Sequence, residues 1–357
     1  MQLPDFPWDL LAPFGEKARQ FPGGLVDLSV GTPVDPTPLL VRQALAEHAN
    51  APGYPTTAGI PELIETIRSW SVSTLHAPTD VGVLPTIGSK EIIAMLPRLL
   101  DCGVGDHMVI PEIAYPTYAV GAIVAGATFT ATDSPELVNQ PVAITWLNSP
   151  SNPTGAVLGA ERLRELVSWA QAHQVILISD ECYFELGWDE QPISILNQSI
   201  NGGNTTGLLA VHSLSKRSNM AGYRFGFVAG DQQIVSKLLA TRKHLGMMVP
   251  TFVQHAALAA YLDPSHVQEQ RSRYAHRREV LWAALAGYGF DIHHSEAGLY
   301  LWGTLGENCW DTVGRMADLG ILATPGVFYG ENAVNFVRFA LTATDHDIDQ
   351  AVSRLAG

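Results

Sequence analysis

The stretch His212-Ser213-Leu214-Ser215-Lys216-Arg217-Ser218-Asn219-Met220-Ala221-Gly222-Tyr223-Arg224-Phe225-Gly226-Phe227 decides how this chain reads. One apolar run, Leu208 to Val211, leads into it, and a second, Phe225 to Ala229, leads out. Apolar runs of strand length on both sides of a Ser/Lys/Arg/Gly segment predict two buried strands with a chemically loaded loop between them. Hydroxyls and an arginine can hold an anion such as phosphate. A lysine among them can be an amine nucleophile toward a carbonyl. The plain alternative is a solvated lysine, but lysines seldom sit between buried strands.

Upstream, the same rhythm repeats. Apolar runs at Val81 to Leu84, His107 to Ile110, Ala127 to Ala131, Val142 to Leu147 and Val175 to Ser179 read as strands. Helical patterns fall between them at 88–100, Tyr115 to Ala125 and Glu161 to His173. Continuous apolar strands separated by helices predict an α/β fold, a mostly parallel sheet covered on both faces. Before it, a short strand is expected at Val26 to Val30. A helix follows from Thr37 to His48, with Thr37 as cap and Pro38 at its first position, and another from Pro61 to Ser71. Past residue 230 the rhythm changes: helices at Gln232 to Leu245 and His266 to Ala286 precede a small α+β segment ending in a helix from Asp345. The expected organisation is an N-terminal arm contributing to a small domain (1–36), a large domain (37–245), connecting helices (246–286) and a C-terminal small domain (287–357).

Bulk properties limit the partners. The 357 residues are 46% hydrophobic and 16% charged, enough for a large core. A net charge of −14 argues against nucleic acid or an anionic membrane surface. Cys102, Cys182 and Cys309 are few, odd in number and far apart, so neither a disulfide framework nor a zinc site is expected. Pro4, Asp5 and Pro7 stand where a signal peptide needs an apolar core, and no apolar run reaches membrane-spanning length. The expected location is the cytoplasm.

In an open parallel sheet, ligands bind outside the carboxyl ends of the strands. Four loops there carry chemistry: Gly88-Ser89-Lys90, Asn148 to Gly155, Asp180 to Tyr183, and Ser213 to Arg224. The first opens a helix, where free N–H groups and the positive helix end suit phosphate, although glycine and serine also begin helices as caps. Asp180 ends an apolar strand, so a desolvated carboxylate there needs a cation, unless it only caps a turn. Together these loops match one cofactor, pyridoxal 5'-phosphate. Its aldehyde needs a lysine (Lys216), its ring nitrogen a carboxylate (Asp180), and its phosphate a helix start, hydroxyls and an arginine (Ser89, Ser213, Arg224).

Ser-Leu-Ser-Lys with Arg224 eight residues on, preceded by Asn-Pro-Thr-Gly and Asp-Glu-x-Tyr, resembles the fold-type I, class I/II aminotransferases over essentially the whole chain. The resemblance implies that Lys216 holds the cofactor covalently and later moves the proton, and that Asp180 pairs with the ring nitrogen. It implies Asn152 and Tyr183 at the ring oxygen and Tyr115 stacked on the ring. Gly88, Ser89, the Lys90 backbone, Ser213 and Arg224 would surround the phosphate. Tyr54 would reach the phosphate of a neighbouring subunit, which implies a homodimer with shared active sites. Gly31, Asn152 and Arg338 would bind the substrate, Arg338 clamping its α-carboxylate. Phe225, after the phosphate arginine, departs from the small or aliphatic residue usual there.

Longer runs, 27–36, 147–155, 242–250 and 295–302, are similar to the actinobacterial succinyldiaminopimelate transaminases. That resemblance implies amino-group exchange between glutamate and N-succinyl-2-amino-6-oxopimelate, with 2-oxoglutarate as co-product. Such an acceptor carries three carboxylates, so further cations are expected at the pocket; Arg217, Arg242, Lys243 and the Lys90 side chain are candidates. The alternatives are an aspartate-type or aromatic aminotransferase, a C–S β-lyase on the same fold, and a non-catalytic cofactor-binding regulator. A nicotinamide-binding sheet lacks its Gly-x-Gly-x-x-Gly after a first strand.

Overall fold

The computed structural model describes residues 3–357. Its thirteen strands are β1 (Val26–Asp27), β2 (Gly82–Ile87), β3 (His107–Ile110), β4 (Thr128–Ala131), β5 (Ile144–Asn148), β6 (Ile176–Asp180), β7 (Leu208–Ser213), β8 (Phe225–Gly230), β9 (Asp291–His293), β10 (Tyr300–Thr304), β11 (Ile321–Leu322), β12 (Thr324–Pro325) and β13 (Val337–Ala340). Seven form the main sheet, in the order β2-β8-β7-β6-β5-β3-β4. All neighbours are parallel except β8, which runs antiparallel to both β2 and β7. The fold is α/β, a mostly parallel sheet flanked by helices.

Period-two geometry explains why the central strands read as unbroken apolar runs. On β7, Leu208 and Ala210 enter one core cluster, and Leu209 and Val211 the cluster on the opposite face. Leu177 and Ile178 of β6 divide in the same way. The edge strand β4, Thr-Phe-Thr-Ala, is the exception, being mostly exposed along its length.

Register places the chemistry. Asn148 pairs with Asp180, and Asp180 with Val211, so the carboxyl ends of β5, β6 and β7 lie level. The antiparallel return then pairs Ser213 with Gly226 and Ile87 with Phe225. Arg224, just before β8, is thereby carried back to the ends of both β7 and β2, where Ser213 and Ser89 lie.

A second, four-stranded antiparallel sheet has the order β12-β13-β10-β9, and β1 pairs in parallel with β11. The N-terminal segment thus joins the C-terminal layer: the helix Ala12–Arg19 packs on Cys309–Asp318, and Leu11, Val26 and Leu28 share a core with Trp302 and Phe339. The helix Ser265–Tyr288 packs against the last helix, Asp345–Leu355. No helix is long and apolar enough to cross a membrane.

Several local expectations change. Thr37 does not cap the following helix, which runs Leu39–Glu47; its hydroxyl donates to the Asn219 carbonyl at 2.8 Å. The strand expected at Val26 to Val30 shortens to two residues. Thr251–Leu262 is a helix that the sequence reading missed, because TFVQHAALAAYL is too uniformly apolar to show a helical stripe. It packs on the helices Leu39–Glu47 and Pro61–Thr74, on the main-sheet side of the connector. The segment around Lys216 is a helical turn, Leu214–Arg217, rather than a loop, and Ser213 Oγ caps it by accepting from the Ser215 N–H at 3.1 Å.

Candidate active site

A cavity of about 430 Å³ lies beyond the carboxyl ends of β5, β6 and β7, between the main sheet and the C-terminal layer. Its lining includes every predicted site residue except Gly88 and Tyr54: Gly31, Ser89, Lys90, Tyr115, Asn152, Asp180, Tyr183, Ser213, Lys216, Arg224 and Arg338. Residues spread over 300 positions converge because four strand ends and one strand of the second sheet face the same space.

Asp180 forms the floor. Tyr118 Oη donates to its Oδ2 at 2.9 Å, and the Cys182 N–H to its Oδ1 at 3.1 Å. Burial nevertheless raises its pKa above the ordinary value, outweighing the lowering by Cys182 and Tyr118. No cation pairs with it among the described residues. A carboxylate so buried and so short of positive charge is suited to a cationic ligand group.

Lys216 projects from its helical turn, and its ammonium donates to the Gly31 carbonyl. Desolvation lowers its pKa, and the Arg338 and Arg224 guanidinium groups push in the same direction. The unprotonated amine, the nucleophilic and basic form, is therefore favoured relative to an exposed lysine. A side chain on Gly31 would collide with the Tyr300 ring, so glycine here keeps that carbonyl within reach of Lys216.

Ser89, Ser213 and Arg224 line the same cavity, two hydroxyls and a guanidinium of the kind that can hold an anion. Ser213 Oγ donates to Ser215 Oγ at 2.9 Å, and Arg224 Nη1 donates to the Ala221 carbonyl at 2.8 Å. Gly88 has a φ of +73°, and an added Cβ would run into the Arg224 guanidinium. Glycine thus gives this helix start its turn and gives the arginine its room. Phe225, the departure noted above, is fully buried in the main core and takes nothing from the cradle.

Arg338 reaches in from β13 and is 3% exposed. Nη1 donates to Asn152 Oδ1 at 2.8 Å and Nη2 to the Ser29 carbonyl at 2.6 Å, while Nε has no partner. Its guanidinium lies 3.9 Å from the centre of the Tyr300 ring. Tyr300 in turn shares a 3.0 Å hydrogen bond with Tyr183, the two hydroxyls facing each other.

Two expected cations are excluded from the pocket. Arg242 is fully buried, held by Glu91 at 2.9 and 3.2 Å. Arg217 is buried against Glu185 at 2.8 Å and lies over the Tyr261 ring. Both charges are already neutralised within the fold. Lys243 is exposed and lies outside the cavity lining, so the Lys90 side chain alone of the four remains at the site. Tyr54 stands fully exposed, away from this chain's own cavity. Tyr118, Ser215, Cys182, Tyr300, Phe6 and Trp8 were not foreseen. Tyr118 had a signal, one helical turn beyond Tyr115; Tyr300 and the arm residues had none, since they arrive from another sheet and from the N-terminus.

The site fits pyridoxal phosphate: an amine, a buried carboxylate lacking a cation and a glycine-opened anion cradle face one space. Among the described residues no cluster of three potential metal ligands occurs. The family model for aminotransferase class I and II matches residues 24–355. The chain is 52% identical to the 4-dedimethylamino-4-oxo-anhydrotetracycline transaminase of Streptomyces rimosus, covering 99% of both. It is 53% identical to a probable aminotransferase of Mycobacterium tuberculosis, over 99% of this chain and 85% of that one. A solved structure, the probable N-succinyldiaminopimelate aminotransferase of Thermus thermophilus, superposes with a TM-score of 0.88 at 27% identity, covering 98% of this chain and 99% of that one. With this cavity and these relatives, the chain belongs to the class I and II aminotransferases, whose members use pyridoxal 5'-phosphate.

Proposed function

We propose that this aminotransferase exchanges the amino group of glutamate with N-succinyl-2-amino-6-oxopimelate. The observation that carries the chemistry is the single cavity holding Lys216, Asp180, the Ser89/Ser213/Arg224 cradle and Arg338. When bound, the cofactor supplies an aldehyde that takes up amines and a ring that withdraws electrons from the substrate's α-carbon. Lys216 Nζ, kept unprotonated by desolvation, removes the proton from that carbon and returns one to the cofactor side. Asp180, ionised once a cation sits beside it, keeps the ring nitrogen protonated, and Tyr118 holds the carboxylate in place. Asn152 and Tyr183 serve the ring oxygen, and Tyr115 covers the ring face. Gly88, the backbone of Lys90, Ser89, Ser213 and Arg224 hold the phosphate. Arg338, with Gly31 and Asn152 beside it, receives the substrate carboxylate. In a homodimer, Tyr54 reaches the phosphate of the second subunit. A cytoplasmic enzyme with alternating half-reactions follows from the same reading.

The choice of acceptor draws on kinship. Besides the Thermus thermophilus structure, an LL-diaminopimelate aminotransferase of Aquifex aeolicus is 33% identical over 93% of this chain and 90% of that one. Both names point to long diamino-diacids. The test is a panel of amino acceptors with glutamate as donor, reading 2-oxoglutarate. Highest kcat/KM with the succinylated keto acid supports the proposal; preference for oxaloacetate or phenylpyruvate would replace it with the aspartate or aromatic alternative. Pyruvate release from cystathionine would point to a β-lyase.

A further inference from the structure

Tyr300 touches three of the groups assigned above and has no assigned role of its own. It begins β10, where it pairs with Ala340 of β13, while Trp302 pairs with Arg338. Arg338 is therefore its diagonal neighbour on the same face, within reach of aromatic and long side chains. The Arg338 guanidinium comes to 3.9 Å from the Tyr300 ring centre. The hydroxyl end of Tyr300 fills the space that a side chain at position 31 would take, beside Gly31, whose carbonyl accepts from Lys216. The same hydroxyl lies 3.0 Å from Tyr183 Oη, with the two rings edge to face at 5.7 Å.

Tyr183 follows β6 of the main sheet, whereas Tyr300 and Arg338 belong to the second sheet. Two hydrogen bonds thus cross the site between the sheets, Tyr183 with Tyr300 and Arg338 with Asn152 at 2.8 Å. Both tyrosines of the first bond are buried. Burial, with Tyr300 beside it, keeps the Tyr183 phenol protonated well above its ordinary range. A phenol has one proton to donate. If Tyr183 gives its proton to the cofactor ring oxygen, then Tyr300 must be the donor in the bond between them. A hydroxyl that accepts one hydrogen bond is a stronger donor in the next, the more so where water is excluded.

We infer that Tyr300 is a positioning residue that couples the carboxylate clamp to the cofactor side of the site. Its hydroxyl donates to Tyr183 and aims that residue's proton at the ring oxygen, and its ring aims the Arg338 guanidinium. This rests on the placement of Tyr183 at the ring oxygen and of Arg338 at the substrate carboxylate proposed above, and it adds the residue that joins them. A donor at the ring oxygen draws off negative charge and loosens the proton held next to it. Loss of a donor, direct or through Tyr183, therefore raises the pH at which the absorbance of the bound cofactor changes.

The test is a pH titration of that absorbance in the cofactor-loaded enzyme without substrate, for the parent, Tyr183→Phe, Tyr300→Phe and the double variant. Phenylalanine keeps each ring and removes only the hydroxyl, so folding is preserved. Tyr183→Phe should raise the midpoint by about one pH unit or more, as expected for loss of a hydrogen bond to a charged oxygen. Tyr300→Phe should raise it by about half a unit, and that shift should vanish in the Tyr183→Phe background. An unmoved midpoint in Tyr300→Phe, or a shift that persists in full in the double variant, would overturn the inference. An unmoved midpoint in Tyr183→Phe would instead overturn the placement of Tyr183 on which it stands. For the clamp, Tyr300→Leu should raise KM for glutamate about fivefold above that of Tyr300→Phe, with kcat changed by less than about twofold, because only phenylalanine still presents a ring to Arg338. Equal KM values in the two variants would overturn the part given to the ring.

Discussion

Arg338 and Arg277 are both buried guanidinium groups, 3% and 1% exposed, and they are used in opposite ways. Arg277, on the helix Ser265–Tyr288, gives its donors to carboxylates of the chain: Asp35 at 2.7 and 2.8 Å and Asp345 at 2.6 Å. It ties the segment after β1 to the helices Ser265–Tyr288 and Asp345–Leu355. Arg338 meets no carboxylate. It has two neutral oxygens, an aromatic face and an unpartnered Nε. A buried charge without its counter-ion is costly, so an arginine in that condition is waiting for an anion from outside. Arg242, held by Glu91, belongs with Arg277. Arg242 Nε is unpartnered as well, so the missing carboxylate is what sets Arg338 apart, and under the proposed function it marks a ligand clamp among structural staples.

The same contrast extends to Lys216, whose ammonium has a carbonyl and no carboxylate as its partner. Lys216→Ala should therefore cost at least about a thousandfold in turnover and remove the absorbance that accompanies covalent attachment of the cofactor, while thermal stability holds. Turnover within tenfold of the parent would remove Lys216 from the chemistry.

Next in size is the arginine pair itself. Arg338→Ala should lower kcat/KM for glutamate by about a hundredfold or more through loss of a buried carboxylate contact, with little change in Tm. Arg277→Met should do the reverse: about 3 kcal/mol less stable, because Asp35 is left without its partner, with near-parental turnover per folded molecule. Chemical denaturation and steady-state kinetics on both variants check this. Equal behaviour of the two would break the distinction.

Tyr118→Phe removes one donor from Asp180. A hydrogen bond to a charged group predicts a loss of about tenfold in kcat, without the loss of cofactor that Asp180→Ala should produce.

The smallest effect is a pH slope. Asp180 has its pKa raised by burial above the ordinary 3.8, so in the cofactor-free protein the folded state holds its proton to higher pH than the unfolded state does. Stability should then fall as pH rises from 3.8 through the folded value, by up to about 1.4 kcal/mol per unit from this group. Asp180→Asn should lack that part of the slope in urea titrations. An unchanged slope would mean that Asp180 is better compensated than its surroundings suggest.

Much of this was legible in the residues. Strand-length apolar runs around loaded loops led to the α/β sheet and to Lys216, Asp180, Ser213 and Arg224, because chain periodicity and residue chemistry are local properties. Legibility failed where the deciding partner is distant. Nothing local to Arg242 or Arg217 says that Glu91 and Glu185 neutralise them. Thr37 looked like a cap until its hydroxyl was taken by Asn219. The helix Thr251–Leu262 lacked a polar face because neighbouring helices cover it.

The sequence by itself determined which groups are available: an amine, a carboxylate at the end of a buried strand, and hydroxyls with an arginine for an anion. Tertiary structure decided which of those groups remain without a partner in the chain. Antiparallel β8 carries Arg224 back to Ser213 and Ser89, β13 sets Arg338 beside Asn152, and the arm closes Phe6 and Trp8 over a chamber no local pattern announces. The physical reason is that a side chain's charge and shape belong to the residue, whereas its neutralisation and desolvation depend on which distant residues the fold brings against it.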